Sequence, residues 1–207
     1  MNLIKYRERI CEELVSQGWT VIDHFFEPGL IAQLTAECRQ QQRSGLLKQA
    51  GTGRAEGHAV NTTTRGDQIR WLETGMSPAI DRYLACLDEL RQFFNRHLYL
   101  GLQDSEHHFA FYPPGSFYTR HLDRFRQDDS RVVSSVLYLN AAWRAGHGGE
   151  LRLDLGESHE DIEPVANRFV LFISAQIVHE VLPTHAERLS LTGWFKRAPG
   201  HDAASLT

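Results

Sequence analysis

The chain has 207 residues, 42% apolar and 23% charged, with a formal charge of −4. That is enough for one full hydrophobic core, and the negative balance offers no general basic surface to a nucleic-acid backbone. No run is long and apolar enough to span a membrane, and the first ten residues, interrupted by Lys5, Arg7 and Glu8, lack the apolar core of a secretory signal.

Taken in order, residues 5–16 set Ile10, Leu14 and Tyr6 on one helical face. Gly18 ends that helix, and residues 19–26 read as a strand. Pro28 suits the first turn of a second helix reaching Arg43, with Leu30, Ile31 and Leu34 inward. From 44 to 66 the composition turns to Gly, Thr, Gln and Asn, which predicts a long loop of the kind that is often functional. A short strand follows at 68–72. Ser77 as N-cap and Pro78 start a third helix, running to His97 with Ile80, Leu84, Leu87, Leu90 and Phe94 at helical spacing. Beyond Gly101 the period becomes two, with strands predicted at 106–112, 117–122, 132–140, 150–154, 161–165, 169–173, 177–183 and 188–196. Helices followed by strands make the chain α+β, one domain over 1–207, with helical support to about 100, a β-sandwich or open barrel over about 101–197 and a disordered tail at 198–207. Cys11, Cys38 and Cys86 are odd in number and widely spaced, which reads as reduced thiols in a cytoplasmic protein.

The chemistry gathers at the end of an aromatic stretch, Phe117-Tyr118-Thr119-Arg120-His121-Leu122-Asp123. On a strand, residues two apart project to one side, so His121 and Asp123 supply two thirds of a 2-His-1-carboxylate facial triad, the usual cradle of non-haem Fe(II). His179, on a later strand, is the candidate third ligand. The sequence contains a rival, His159-Glu160-Asp161, but it follows Gly156-Glu157-Ser158 in an acidic stretch that reads as a solvated loop. A facial triad leaves iron positions that 2-oxoglutarate can chelate, and the far carboxylate of 2-oxoglutarate then needs a charged anchor. Arg188 suits that role, being permanently charged and able to grip a carboxylate with two donors. Ser190, Thr192 and Trp194 share its strand face. Tyr138 can donate a second hydrogen bond to the same carboxylate.

With Tyr112-Pro113-Pro114-Gly115, Tyr138-Leu139-Asn140, Gly148-Gly149-Glu150-Leu151-Arg152, Ile162-Glu163-Pro164, and the upstream Thr64-Arg65-Gly66-Asp67-Gln68-Ile69-Arg70-Trp71-Leu72, these residues resemble the 2-oxoglutarate-dependent prolyl hydroxylases. Within that family the chain looks like a compact bacterial counterpart of the branch containing the hypoxia-inducible-factor prolyl hydroxylases, and the resemblance runs from Trp19 almost to the end. It implies a double-stranded β-helix (jelly-roll) core flanked by the N-terminal helices. It also implies hydroxylation of a prolyl residue in a protein, at C4, using O2 and 2-oxoglutarate and giving succinate and CO2, with ascorbate as reductant. Iron would be held by His121, Asp123 and His179. The co-substrate would be held by Arg188 and Tyr138, with Tyr112, Leu151, Thr192 and Trp194 around it. Arg65, Asp67 and Arg131 would contact the polypeptide. The family's action on the translation machinery makes a translation factor one expected partner, and nothing demands more than a monomer.

Other readings stay open at this point. The same fold serves oxygenases acting on a free amino acid or another small molecule, although a long capping loop with Arg65 and Asp67 favours a polypeptide. A nucleic-acid demethylase lacks its basic, aromatic patch. A zinc hydrolase could use the same three ligands, but would have no need of an arginine placed for a dicarboxylate. A catalytically silent binding module on the same jelly roll would not need the ligands.

Overall fold

The computed structural model describes residues 3–51, 64–124 and 129–198. The middle of the expected 44–66 loop and the expected disordered tail beyond Ala198 lie outside the described residues.

Helix α1 (Leu3–Ser16), strand β1 (Trp19–Asp23), helix α2 (Pro28–Arg43), the two-residue β2 (Lys48–Gln49), β3 (Gln68–Trp71) and helix α3 (Pro78–Leu98) form the first half. α3 begins as its sequence dictates: the Ser77 hydroxyl accepts the Ile80 N–H at 3.3 Å, and Pro78 occupies a position whose missing N–H costs nothing. Eight strands follow: β4 (Leu102–Tyr112), β5 (Tyr118–His121), β6 (Arg131–Tyr138), β7 (Leu151–Asp154), β8 (His159–Ile162), β9 (Arg168–Ile173), β10 (Val178–Val181) and β11 (Arg188–Arg197).

They build two facing antiparallel sheets, one of seven strands ordered β1-β9-β6-β11-β4-β3-β2 and one of four ordered β5-β10-β7-β8. This is the two-sheet jelly roll, with the helices outside the larger sheet. Alternation along each strand explains the layering. In β4, Phe109 and Phe111 pack with Leu87, Leu90 and Phe94 of α3, while Ala110 and Tyr112 turn to the space between the sheets. In β6, Val133 and Leu137 face the helices and Val136 and Tyr138 the inter-sheet space. At about 25 cal/mol per Å2 of apolar surface buried, these two clusters supply the main drive for folding.

Several elements differ from expectation: the strand expected at 19–26 ends at Asp23, and the one expected at 161–165 ends at Ile162. β4 starts at Leu102, earlier than the predicted 106. β2 forms inside the predicted loop by pairing with β3, Lys48 opposite Ile69. The stretch His159-Glu160-Asp161, expected in a solvated loop, is strand β8, while its side chains are exposed. A hairpin from β7 turns at Gly156 (φ +87°) and sets Asp161 opposite Arg152, whose guanidinium donates to the carboxylate in two bonds of 2.7 Å. Cross-strand charge pairing of this kind holds a polar edge strand that hydrophobic patterning cannot reveal.

Candidate active site

β5 and β10 are antiparallel neighbours, and His121 sits directly opposite His179 in their register. Their rings lie 4.3 Å apart between centres. Asp123 follows two residues beyond the end of β5 and comes back to the same side, as strand parity requires. Its carboxylate oxygens are 3.5 Å from His121 Nε2 and 3.6 Å from His179 Nε2. One donor atom from each residue falls within 4.8 Å of the others, the one such group of three or more His, Cys, Asp or Glu among the described residues.

The surroundings fix the chemical state of this cluster. His121 Nδ1 lies 2.8 Å from the Thr119 carbonyl and His179 Nδ1 3.1 Å from the Ile177 carbonyl. A carbonyl can only accept, so each Nδ1 carries a proton, and Nε2 is the atom each ring can offer to a metal. Burial pulls the His179 imidazole down to about 4, against the pull of Asp123, and so keeps it neutral. Burial also pushes the Asp123 carboxyl up, but His179, His121 and the Ser134 hydroxyl outweigh it and hold the group below the usual carboxylate range. Ser134 Oγ donates to Asp123 at 2.7 Å and is itself 2.9 Å from Ser174 Oγ. Tyr118 stacks on His121 at 3.8 Å and Phe172 abuts His179 at 4.6 Å, so the rings cannot swing. Two imidazoles with their Nε2 atoms turned inward and an ionised carboxylate on one side of an open cavity fit Fe(II).

A cavity of about 460 Å3, in the usual range for a small-molecule site, is lined by all three of these residues and by Arg188 and Tyr112 at its inner end. Arg188 is 2% exposed. Its Nε donates to the Gly149 carbonyl at 2.8 Å and its Nη1 reaches Ser190 Oγ at 3.4 Å. No carboxylate among the described residues pairs with it. Gly149, at φ +67°, can approach because it has no side chain: a Cβ there would meet Arg188 Cδ at 3.1 Å and Thr184 at 3.0 Å. Tyr138 is wholly buried just behind, its ring centre 5.1 Å from the guanidinium carbon, and its hydroxyl has no hydrogen-bond partner among the described residues. Burial pushes that phenol up to about 12, with Arg188 opposing. An unpaired buried cation beside an unsatisfied hydroxyl is costly, and both are completed by one carboxylate. The far end of 2-oxoglutarate fits.

Leu151, Thr192 and Trp194 line the same cavity, as do Arg65 and Arg131 nearer the solvent. Asp67 does not line it. It is fully buried and grips Arg65 through two bonds of 2.6 and 2.7 Å, while the guanidinium lies 4.4 Å over the Tyr118 ring. Sequence reasoning did not single out Trp71, Glu106, His108 or Tyr118 as lining residues, nor Ser134 behind Asp123. His108 stands between Trp71 and Trp194, at 4.8 and 5.6 Å, and burial draws its imidazole well below the ordinary range. Its only sequence signal was strand parity with Tyr112.

Similarity to known proteins agrees with this geometry. Residues 107–196 match the family model of the 2OG-Fe(II) oxygenase superfamily. The human prolyl hydroxylase EGLN3 is 34% identical over 203 residues, covering 91% of this chain and 82% of that protein. The crystal structure of a prolyl-4-hydroxylase from Pseudomonas putida superposes with a TM-score of 0.86 at 47% identity, over 93% of this chain and all of the other. A Trichoplax adhaerens prolyl hydroxylase, solved with a peptide fragment of the hypoxia-inducible-factor oxygen degradation domain, gives 0.83 at 26% identity, over 93% of this chain and 91% of that one.

Proposed function

This chain belongs to the 2OG-Fe(II) oxygenase superfamily and to its prolyl hydroxylases, and from that premise we propose that it hydroxylates C4 of a prolyl residue in a cellular protein. Bound Fe(II) and 2-oxoglutarate supply the oxidation: O2 and 2-oxoglutarate are consumed, one oxygen atom enters the prolyl C–H bond, and succinate carrying the other oxygen leaves with CO2. His121, Asp123 and His179 hold the metal in this reading. Ser134 keeps the Asp123 carboxylate aimed, and the two backbone carbonyls keep both imidazoles in the tautomer that binds.

Arg188 pairs with the far carboxylate of the co-substrate, and Tyr138 turns its unpartnered hydroxyl to the same group. Tyr112, Leu151, Thr192 and Trp194 enclose the co-substrate and exclude water. Arg65, held by Asp67, and Arg131 flank the polypeptide where it enters. A cytoplasmic translation factor as substrate, ascorbate as reductant and a monomeric enzyme complete the proposal. Among the described residues no helix is long and apolar enough to cross a membrane.

The observation that carries the reading is a single cavity in which a three-donor metal cluster faces a buried, unpaired arginine. The test treats lysate of cells lacking this chain with purified protein, Fe(II), 2-oxoglutarate and ascorbate, and searches peptides by mass spectrometry for one added oxygen. A prolyl site that gains oxygen with the intact protein and not with Asp123→Ala is the expected result and names the partner. Absence of any such site, while free amino acids still stimulate 2-oxoglutarate consumption, would replace this reading with a small-molecule hydroxylase.

A further inference from the structure

We propose that Glu106 is a positioning residue that fixes Arg131 flat against Trp194 and thereby shapes the wall along which the polypeptide enters. The inference rests on the prolyl hydroxylase reading for its substrate and on geometry for the rest. Three neighbouring strands bring the groups together: Glu106 of β4 lies opposite Trp194 of β11, and Lys196 of β11 lies opposite Arg131 of β6. The second pairing follows a register shift between Phe195 and Lys196. Two like charges directly across a sheet repel. Glu106 offsets this by giving one oxygen to each cation, and Asp104, opposite Lys196 on β4, adds a second carboxylate 3.6 Å from the ammonium. Its Oε1 accepts from Arg131 Nε at 3.1 Å and Nη2 at 2.8 Å, and its Oε2 accepts from Lys196 Nζ at 2.8 Å.

Arg131 then lies with its guanidinium carbon 3.4 Å from the Trp194 ring centre, a cation–π contact strengthened by partial burial. The side chains of Glu106, Arg131 and Lys196 are only 23%, 12% and 18% exposed, so water screens them weakly. Burial pushes the Glu106 carboxyl up, and Lys196 and Arg131 outweigh it and keep the group ionised. The opposite side of the entrance has the same construction, with Asp67 fixing Arg65 over Tyr118. Glu106 and Asp67 are thus counterparts, each anchoring one arginine on one aromatic ring. Removing the charge of Glu106 takes from Arg131 the carboxylate that engages two of its nitrogens, and the guanidinium is then less firmly held over Trp194.

Glu106→Gln keeps the shape and removes the charge. The first readout needs no substrate: modification of arginines by phenylglyoxal in the unliganded protein, mapped by mass spectrometry. Arg131 in Glu106→Gln should react at least about 5-fold faster than in the unaltered protein, with Arg65 unchanged, because the guanidinium loses the carboxylate that engages its Nε and Nη2. The second readout uses lysate protein from cells lacking this chain as the probe. KM for the oxidised prolyl site should rise about 10-fold, with kcat and the KM for 2-oxoglutarate each within about 2-fold, the pattern of lost binding rather than lost chemistry. Arg131→Gln should match it, and the double variant should be no worse than Arg131→Gln alone. Unchanged labelling of Arg131, an unchanged KM, or additive effects in the double variant would each overturn the proposal. If the unaltered protein oxidises no prolyl site, the functional reading fails and the substrate half of this inference with it, while the labelling still decides whether Glu106 holds Arg131.

Discussion

The two ends of the cavity treat arginine in opposite ways. At the inner end Arg188 is buried with no carboxylate among the described residues, facing a tyrosine hydroxyl that has no partner among them. At the mouth Arg65 and Arg131 each have a carboxylate of the chain itself, Asp67 and Glu106, and each lies on an aromatic ring. A cation left unpaired in a low-dielectric interior is unfavourable until an anion arrives. The inner end therefore holds charge in reserve for a ligand, whereas the mouth has its charges already neutralised and offers shaped surfaces. Affinity for a small dianion belongs to the first design, recognition of a neutral polypeptide segment to the second.

That contrast can be broken or sharpened in order of effect. Asp123→Ala, which removes the proposed carboxylate ligand, should lower substrate-coupled 2-oxoglutarate turnover at least about 100-fold, since loss of mere supporting groups costs 10–100-fold; succinate formation measures it. Arg188→Met should raise the 2-oxoglutarate requirement about 10-fold or more, taking a lost charged pair as ~2–5 kcal/mol. The same variant should melt no lower than the unaltered protein without ligand, because an apolar side chain replaces a buried unpaired charge. A clear fall in melting temperature would mean that the inner arginine is structural. Ser134→Ala, which loosens the carboxylate without removing it, should weaken iron binding about 10-fold in equilibrium dialysis. Tyr138→Phe should raise the 2-oxoglutarate KM about 10-fold, the lower end of the worth of one hydrogen bond to a charged group (~1.5 kcal/mol), and leave the stability of the ligand-free protein unchanged or higher.

How much of this was legible in the sequence follows from the physics of strands. His121, Asp123 and the row from Arg188 to Trp194 could be read because strand parity is local: residues two apart share a face whatever surrounds them. His179 required a guess about which distant strand lies beside β5, and the register places it opposite His121. Glu106 was not legible as a partner of Arg131, because that contact depends on β4 and β6 flanking β11 and on a one-residue irregularity in the ladder. Trp71 reached the site for a similar reason, through β3 adding to β4 with Trp71 opposite His108. The edge strand at His159–Ile162 was expected to start only at Asp161, because its first half is stabilised by cross-strand charge rather than apolar alternation.

The pairing of His121 with His179 also has a mechanical side. β5 is an edge strand of four residues, joined to β10 through only two paired positions, His179–His121 and Val181–Tyr118, with a register shift between them. Two of the three proposed metal ligands stand on opposite sides of that seam. An ion held by both is a rivet across the weakest join in the smaller sheet, and at a free concentration of 100 times its dissociation constant it would add about 2.7 kcal/mol to whatever opening separates them. Backbone amides of β5 should therefore exchange with solvent more slowly once metal is present, while those of β4 and β11, each zipped along most of its length, should scarcely respond.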